Sequence, residues 1–214
     1  MKILLYLFFF FRSALLRGLI NTIRLLRAEY RYEKQFRIRT SRIKHSDSDD
    51  FYHYQGAPYW SLMKIFATVP QTCRLLPFID IGSGKGRAVF VAEYCGFHVA
   101  TGVELQHELV EESQANLRRY PYKRKASSIS FIQSNALDFA YPEHAALYFF
   151  FNPFSEEIME RVLEKMVKVG KEEIWFVYMN PMYPGPFDRK GLIKMSTVMT
   201  RFYTEATVYR YSAE

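Results

Sequence analysis

The sequence has 214 residues, of which 49% are hydrophobic, so it can bury one good core and predicts a single domain with an appendage. The formal charge of +7 comes from one end: residues 1–45 carry eleven Lys and Arg against two Glu, a net +9, and the rest carries 18 basic and 20 acidic residues, a net −2. Two separated cysteines and five histidines without HxxxH or HExxH spacing indicate neither a disulfide framework nor a metal site, and they fit a reducing, cytoplasmic compartment.

The first 45 residues are predicted to form a helical arm. Their apolar run, residues 3–11, ends at Arg12 without the small residues of a cleavage site and is shorter than the roughly 20 apolar residues that cross a bilayer. A spanning helix would also bury arginines in hydrocarbon, at about 2.5 to 3.5 kcal/mol for each central position. On a helical wheel, Leu15, Leu19 and Leu26 lie opposite a basic face. That face is formed by Arg17, Arg24, Arg27, Arg31 and Lys34.

Three interpretations of this basic amphipathic arm stay open. It can lie at an anionic membrane surface, bind nucleic acid, or cap the core with a solvated basic face. The phenylalanines near its tip suit lipid better than a phosphate backbone, which favours a peripheral position at the inner membrane face. The polar stretch HSDSDD, residues 45–50, then predicts a boundary between an arm over residues 1–45 and a domain over residues 46–214.

Hydrophobic patterns after this boundary predict helices that alternate with strands. A helix begins at Tyr59, and later helices cover residues 87–95, 107–119 and 156–169. Five apolar segments are predicted to be strands, namely LLPFIDI, HVATGVEL, SISFIQS, AALYFFF and EIWFVYM. Residues 193–200 and 206–211 are predicted to close the sheet as an antiparallel pair, with no helix just before them. The pattern predicts an α/β fold with a Rossmann-like, doubly wound sheet of seven mostly parallel strands.

A glycine-rich loop, residues 82–86, follows the first predicted strand. It is not a P-loop, because Ile79 stands where that motif requires its first glycine and Gly86 stands where it requires a hydroxyl. Its glycine spacing also departs from the G-x-G-x-x-G of dinucleotide sites. Asp80, at the end of the strand, would repel a pyrophosphate but would attract a cationic group. The loop therefore predicts a ligand that is not held through phosphates.

Glu104 ends the second predicted strand, where its carboxylate can accept hydrogen bonds from both hydroxyls of a ribose. The glycines let the backbone approach a ligand at a helix N-terminus, where free N–H groups hold a carboxylate. The ligand would combine a ribose with an amino-acid zwitterion, as S-adenosylmethionine (SAM) does. The cofactor-binding candidates from this reasoning are Asp80, Gly82, Ser83, Gly84, Gly86 and Glu104.

The segments DIGSGKGR and GVEL resemble the first two motifs of class I SAM-dependent methyltransferases. With FFFNPF, the resemblance covers residues 78–154, and the tail matches in its strand pattern. It implies a SAM-binding domain and an enzyme of the EC 2.1.1 class. From the position of analogous N-terminal loops, it also implies that Tyr54 and Gln55 lie near the carboxylate end of SAM. Beside the loop, Lys85 is expected to face solvent and Arg87 to cap or pair.

The adenine subsite departs from the family pattern. Many members have a Gly-Asp pair after the third strand, whereas this chain has QSNALDF. By alignment, Asn135, next to Ala136, replaces the aspartate, and its amide oxygen could still accept a hydrogen bond from the adenine amino group. Asp138 is the alternative, and a role for Asn135 as a turn residue also stays open.

Asn152, Pro153 and Phe154 of FFFNPF are the catalytic candidates. Asn152 resembles the first residue of the (Asn/Asp/Ser)-Pro-Pro-aromatic motif of amino-methylating members, whose amide oxygen accepts a hydrogen bond from the target nitrogen. The second proline is replaced by Phe154, which weakens the case for an exocyclic base amine or a glutamine side chain. Tyr178 and Asn180, at the end of the fifth strand, are weaker candidates.

The layout of this segment also resembles that of the non-SET histone-lysine methyltransferases. It is similar as well to small lysine methyltransferases with a hydrophobic N-terminal segment that act on membrane-associated proteins. The resemblance implies methyl transfer to a nitrogen, with a protein lysine as the first hypothesis. The alternatives are a small-molecule, lipid or RNA methyltransferase, and a SAM-binding membrane-associated protein without catalysis.

Overall fold

The computed structural model describes residues 2–41, 55–122 and 128–212, with side chains from residue 7 onward. The helices are α1 Lys2–Arg17, α2 Leu19–Phe36, α3 Tyr59–Thr68, α4 Arg87–Tyr94, α5 His107–Arg119, α6 Glu156–Val169 and α7 Gly185–Arg189, with a short 3-10 helix at Gln71–Leu75. The strands are β1 Phe78–Ile81, β2 Val99–Glu104, β3 Ser128–Gln133, β4 Ala146–Phe151, β5 Ile174–Met179, β6 Ile193–Thr200 and β7 Tyr203–Tyr211.

The strands form one seven-stranded sheet in the order β3-β2-β1-β4-β5-β7-β6. The first five strands along the chain pair in parallel, and β7 runs antiparallel to both β5 and β6. Every residue of β1 and β5 is buried, as expected for central strands that are covered on both faces. The predicted α/β class, the mostly parallel sheet and the antiparallel C-terminal pair are confirmed.

Each face of the sheet packs into its own aromatic core. Phe149 of β4 contacts Phe66 and Phe78 on the face covered by α3 and α4. Phe150, the next residue, packs against Phe176 and Phe187 on the face covered by α6 and α7. Alternate residues of a strand point to opposite faces, so β4 joins the two cores and ends between them.

The arm consists of two helices instead of the single amphipathic helix that was expected. Gly18 lies between α1 and α2 with φ of 89°, a conformation that breaks the helix and suits glycine. Arg17 is also absent from the predicted solvated basic face. Its guanidinium forms an ion pair of 2.7 Å with the fully buried Glu205 of β7 and stacks on the ring of Tyr203. Helical-wheel reasoning could not place this contact because its partner is 188 residues away.

The second arm helix is packed into the domain. Thr22, Ala28 and Phe36 of α2 are buried, and the ring of Phe36 contacts the rings of Tyr59 and Tyr94. This packing supports the interpretation of α2 as a cap on the core, and the division of the chain at residue 45 stays a prediction. In the ranges the structure describes, no helix is both long enough and apolar enough to cross a membrane.

Two features of the C-terminal part differ from the sequence prediction. The short helix α7 follows Pro184, where no helix was expected, and β7 begins at Tyr203, three residues earlier than expected. Pro186 fixes φ near the helix start, and the rest of α7 is too short to show a helical hydrophobic period. The β6–β7 pairing contains two register shifts, one near Ser196 and one near Met199.

Candidate functional site

The glycine loop joins the end of β1 to the start of α4. Gly82, Gly84 and Gly86 have φ of 79°, 53° and 84°, values that glycine adopts without strain. The backbone N–H groups of Gly82 and Ser83 both donate to the carbonyl of Val103 on β2, at 2.9 and 3.0 Å. The loop is therefore fastened to the neighbouring strand while its tip stays close to the start of α4.

Two of these glycines are required by close neighbours. A Cβ on Gly82 would lie 2.7 Å from Cβ of Pro153, and a Cβ on Gly86 would lie 2.5 Å from the ring of Phe131. The first contact joins the glycine loop to the segment that follows β4. The cofactor-binding and catalytic candidates of the sequence are thus brought together by a backbone that has no room for a side chain at Gly82.

Two buried carboxyl groups lie beside the loop. Asp80 is 3% exposed and Glu104 is 8% exposed. The Glu104 carboxylate accepts hydrogen bonds of 2.9 Å from the backbone N–H groups of Gly84 and Gln106. Burial raises the pKa of Glu104, although these hydrogen bonds oppose the rise. Burial, followed by the negative charge of Glu104, raises the pKa of Asp80 well above its usual value. The site therefore favours a cationic ligand that compensates this negative charge.

The two basic residues beside the loop have buried side chains. Lys85 is 3% exposed and forms an ion pair of 2.9 Å with Glu112 of α5, so the expectation that it faces solvent is wrong. The side chain of Lys85 lies beneath α5, and the sequence could not predict this because the contact depends on how α5 packs against the loop. Arg87, at the first position of α4, pairs as expected, but its partners lie on the arm. They include the carboxylates of Glu29 and Glu33 at 2.9 and 3.4 Å.

The Arg87 guanidinium also holds the segments that follow α2. Its Nε donates to Thr40 Oγ1 at 2.7 Å, and its two terminal nitrogens donate to the carbonyl of Ala57 and to Ser41 Oγ. It lies 4.2 Å from the ring centre of Tyr59. A side chain that directly follows the glycine loop thus fixes the arm and the start of α3 against the sheet.

Asn135 follows β3 at the same edge of the sheet as Glu104. Its side-chain oxygen accepts a hydrogen bond of 2.9 Å from the N–H of Leu137, so it stabilises the local turn. Its side chain is exposed, that of Asp138 is exposed, and Ala136 is buried. Glu104 and Gln133 are register partners at the strand ends, which places the Asn135 turn next to the Glu104 carboxylate.

Asn152 lies directly after β4 with φ of 47°, a left-handed conformation that asparagine tolerates better than most residues. Its side-chain oxygen accepts a hydrogen bond of 3.1 Å from the Tyr178 hydroxyl, and its amide nitrogen contacts the sulfur of Met182. Burial raises the pKa of Tyr178 to about 12, so this hydroxyl stays a donor. Phe154 packs at the edge of the core on the α6 side.

A cavity of about 830 Å³ opens between the arm and the sheet. On the sheet side it is lined by Phe151, Met179, Asn180 and Tyr203. On the arm side its lining includes Leu7, Phe9, Phe10, Leu16, Leu25 and Leu26. A smaller cleft of about 20 Å³ contacts Asp80, Gly82 and Ser83, and it shares Gln55, Gly56, Arg87 and Phe151 with the cavity. The large cavity therefore adjoins the acidic cleft.

Comparison with solved structures gives matches at low sequence identity. A magnesium protoporphyrin IX methyltransferase from Synechocystis, solved with SAM bound, matches with a TM-score of 0.55 and 13% identity, over 73% of this chain and 79% of its own. A mitomycin 7-O-methyltransferase matches with a TM-score of 0.55 and 11% identity, over 72% and 54%. A 23S rRNA methyltransferase matches with a TM-score of 0.51 and 14% identity, over 72% and 68%. No protein-family model and no curated protein matches the sequence.

The strand order and these superpositions agree. The chain has the fold of the class I SAM-dependent methyltransferases. The resemblance inferred from the motifs is therefore confirmed at the level of the fold. The acceptors named for the three similar proteins are a porphyrin, a mitomycin and an RNA, so this methyltransferase fold does not specify an acceptor.

Within the methyltransferase fold, most of the predicted site residues lie around the carboxyl ends of β1, β2 and β4. Gln55 lines the acidic cleft, and Tyr54 lies outside the described residues. Asn180, a weaker candidate, lines the large cavity and accepts a hydrogen bond of 2.6 Å from the Tyr203 hydroxyl. In the described ranges, no group of three His, Cys, Asp or Glu side chains could hold a metal ion.

Sequence reasoning missed the residues that form the cavity. Phe151 and Met179 were interpreted only as residues of predicted strands, and Tyr203 lay between the two predicted C-terminal strands. The arm was expected to lie at a membrane surface, bind nucleic acid or cap the core, and the sequence pattern did not show that its apolar residues line a cavity. The sequence contained one signal of a second apolar contact for the arm. Residues 3–11 are almost entirely apolar, so a helix over them has no polar side, whereas a helix that lies on a surface needs one.

Proposed function

We propose that the protein is a methyltransferase that uses SAM as the methyl donor. The observation that carries the proposal is the buried pair Asp80 and Glu104 beside a glycine loop of the class I methyltransferase fold. Two carboxyl groups would repel a phosphate, whereas the cationic and hydroxyl groups of SAM can pair with them. The Synechocystis enzyme of the same fold has been solved with SAM and with its demethylated product SAH, which supports the choice of ligand.

The residues around the loop fit this ligand. The Oγ atom of Ser83, a residue that lines the acidic cleft, is buried and has no hydrogen-bond partner among the described residues. The Glu104 carboxylate accepts hydrogen bonds from the backbone N–H groups of Gly84 and Gln106, and its two oxygens have further lone pairs that can accept from the ribose hydroxyls. Asp80 would hold the amino group, and the N–H groups near the start of α4 would hold the carboxylate.

The remaining contacts to the ligand follow from position. Asn135 and Ala136 would border the adenine ring, although the Asn135 side chain also stabilises its own turn. Gln55, which lines the acidic cleft, would lie near the carboxylate end of the ligand, and the role expected for Tyr54 stays a prediction. Gly82 and Gly84 would let the backbone approach the ligand closely because neither has a Cβ.

Methyl transfer requires the protein to position the acceptor nitrogen more than to activate the methyl group. When bound, SAM supplies a methyl group that its sulfonium already activates. The protein must hold a neutral nitrogen in line, about 3 to 3.5 Å from the carbon it attacks. We assign this positioning to Asn152, whose side-chain oxygen has a second lone pair after it accepts from Tyr178. The contact between Pro153 and Gly82 fixes Asn152 relative to the glycine loop, and Phe154 borders the same segment.

Two acceptor classes follow from different observations. The motif layout supports a protein lysine as the acceptor. The lysine ammonium, whose ordinary pKa is about 10.4, must lose a proton before its nitrogen can accept the methyl group. An apolar pocket favours the neutral amine. A small lipophilic acceptor follows from the cavity of about 830 Å³ beside Phe151, which is far larger than one lysine side chain needs. RNA is the less favoured acceptor, because Arg17 and Arg87, two of the basic residues that line the cavity, are paired with the carboxylates of Glu205 and Glu29.

We also propose that the arm holds the protein at an anionic membrane surface, on the cytoplasmic side. Apolar side chains of the arm are exposed to solvent, among them Phe8, Phe11, Leu15, Leu19 and Ile20. Basic side chains are exposed on the same two helices, namely Arg12, Arg24, Arg27, Arg31 and Lys34. Exposed apolar and basic side chains together are typical of a helix that lies in the headgroup region.

Calorimetric titration of SAM and SAH tests the proposed function. We expect both to bind the wild type and Glu104→Gln to weaken binding at least tenfold, because the variant loses charged acceptors for the ribose. Glu157→Gln, an exposed position on α6, is the matched control and should bind like the wild type. Failure of the wild type to bind either compound would refute the proposal.

A further inference from the structure

Helix α1 has apolar side chains on two sides. Leu7, Phe10 and Leu16 line the cavity, whereas Phe11 and Leu15 point outward and are 65% and 63% exposed. A helix that is hydrophobic all round is stable where apolar material covers both sides. The cavity therefore opens beside the surface that would contact the membrane, since its lining residues Leu7, Phe9 and Leu26 are 47%, 51% and 58% exposed.

The cavity changes in polarity from the arm to the sheet. Its arm side is formed by leucine and phenylalanine side chains, with Arg12 at the solvent-exposed rim. Its other side includes Gln55 and Asn180, next to the acidic cleft, and Arg17 and Glu29 of the arm add polar groups to the lining. A ligand that matches this gradient has an apolar chain toward α1 and a polar head toward the carboxyl ends of β4 and β5.

The cavity volume also separates ligand classes. About 830 Å³ is near the upper end of the range for small-molecule sites, roughly 300 to 1,000 Å³. A lysine side chain has a stem of about four carbons and would leave most of this space empty. A long apolar chain would fill it and would displace water from the phenylalanine and leucine side chains, which is favourable in proportion to the area covered.

We propose that the methyl acceptor is an amphiphilic lipid amine that enters this cavity from the membrane at the arm. This inference rests on the proposed function and specifies its acceptor. The polar head carries the acceptor nitrogen to the segment around Phe151 and Asn152, and the apolar chain lies between α1, α2 and the sheet. The arm thus acts as the membrane contact on its outer side and as the wall of the acceptor site on its inner side.

A homologous series of n-alkylamines, from butylamine to decylamine, tests the proposal in the presence of saturating SAH. Calorimetry on the full chain should show affinity that rises about fourfold for each added methylene group, because each one is buried in the cavity. Leu16→Trp fills the cavity and should weaken decylamine binding at least tenfold. Leu15→Trp adds the same side chain on the exposed side of α1 and should leave decylamine binding unchanged. Leu25→Trp repeats the cavity-filling change from α2.

Affinity that does not depend on chain length would overturn the proposal and would favour a lysine-sized acceptor. An equal effect of Leu15→Trp and Leu16→Trp would also overturn it, because the amines would then bind the outer surface of the arm. Titration with SAH tests the proposed function separately from the lipid acceptor. Wild type that fails to bind SAH refutes the proposed function, whereas SAH binding with chain-length-independent amine binding refutes the lipid acceptor alone.

Discussion

At the scale of single residues, the candidate site contains buried carboxyl groups whose ionisation is unfavourable. Asp80 is almost fully buried beside the carboxylate of Glu104, and burial with this neighbour raises its pKa. Such a group weakens the folded state without ligand, and a cationic ligand offsets the cost. The residues proposed to bind SAM are therefore expected to make the free protein less stable, as is common where function opposes stability.

The unfavourable ionisation of Asp80 predicts that the stability of the free protein depends on pH. Because the pKa of Asp80 in the folded state is raised above its unfolded value near 4, the folded state should lose stability as pH rises from about 4 through the raised pKa. Asp80→Asn removes the titrating group, so we expect the free energy of unfolding at pH 8 to exceed that of the wild type. The gap should shrink toward pH 4.

Urea unfolding at pH 5 and pH 8 measures this difference. Asp138→Asn, on an exposed turn, is the control and should follow the wild type at both values. SAM binding should weaken in Asp80→Asn, since the same charge serves the ligand. A variant as unstable as the wild type at pH 8 would show that Asp80 carries no charge penalty.

The sequence predicted the parts of the candidate site that lie at strand ends and in the loop that follows β1. Asp80, Gly82 and Glu104 could be interpreted because loop geometry and strand ends place them by local rules. The ion pair of Lys85 with Glu112 could not, nor could the contacts of Arg87 with the arm, because their partners come from helices whose positions depend on the whole fold. The assignment of Asn152 to the acceptor stays a prediction.

At the scale of elements, the strands and the longer helices followed from hydrophobic patterns, whereas the break in the arm did not. A helical wheel continues through Gly18 because a single glycine is tolerated in a helix at a cost of about 1 kcal/mol. The contacts of Arg17 with Glu205 and Tyr203 hold α1 in a separate direction. Tertiary contacts thus decided between one helix and two.

Gly18→Ala tests this account of the break. The φ of 89° is unfavourable for alanine by about 1 to 3 kcal/mol, and no atom within 4 Å would clash with the added Cβ. We expect α1 and α2 to favour a continuous helix in this variant, which pulls α1 from the sheet. Limited trypsin digestion should then cut at Arg17 several times faster than in the wild type.

Gly191→Ala is a matched control for this change. Gly191 has φ of 70° and equally open surroundings, but it lies before β6, away from the arm. It should lose similar global stability without faster cleavage at Arg17. If Gly18→Ala leaves the arm as resistant as in the wild type, the glycine is not what separates the two helices.

At the scale of the whole molecule, two buried charge clusters connect the arm to the domain. Arg17 pairs with Glu205, which also accepts hydrogen bonds from Ser61 and Thr200. Arg87 pairs with Glu29 of α2 in the second cluster. Breaking a buried pair by removing one partner costs about 3 to 5 kcal/mol, so the arm cannot be removed without a penalty in the domain.

Two truncations should therefore behave differently in thermal unfolding followed by circular dichroism. Deletion of residues 1–17 removes the partner of Glu205 and should lower stability by about 3 kcal/mol while one cooperative transition remains. Glu205→Gln added to this truncation should recover much of the loss. Deletion of residues 1–41 also removes the buried Phe36 and Ile38 and the partners of Arg87, so no cooperative transition is expected. Equal behaviour of the two truncations would contradict this division of roles.

The irregular pairing of β6 has a consequence for association between copies. β6 is an outer strand of the sheet and carries exposed Ile193 and Met195, which would make a flat edge able to template further strands. The pairing of β6 with β7 contains two register shifts, and irregularities of this kind bend a strand and increase its local twist. We therefore expect the concentrated protein to resist strand-mediated aggregation, and replacements that straighten β6 to promote fibre formation.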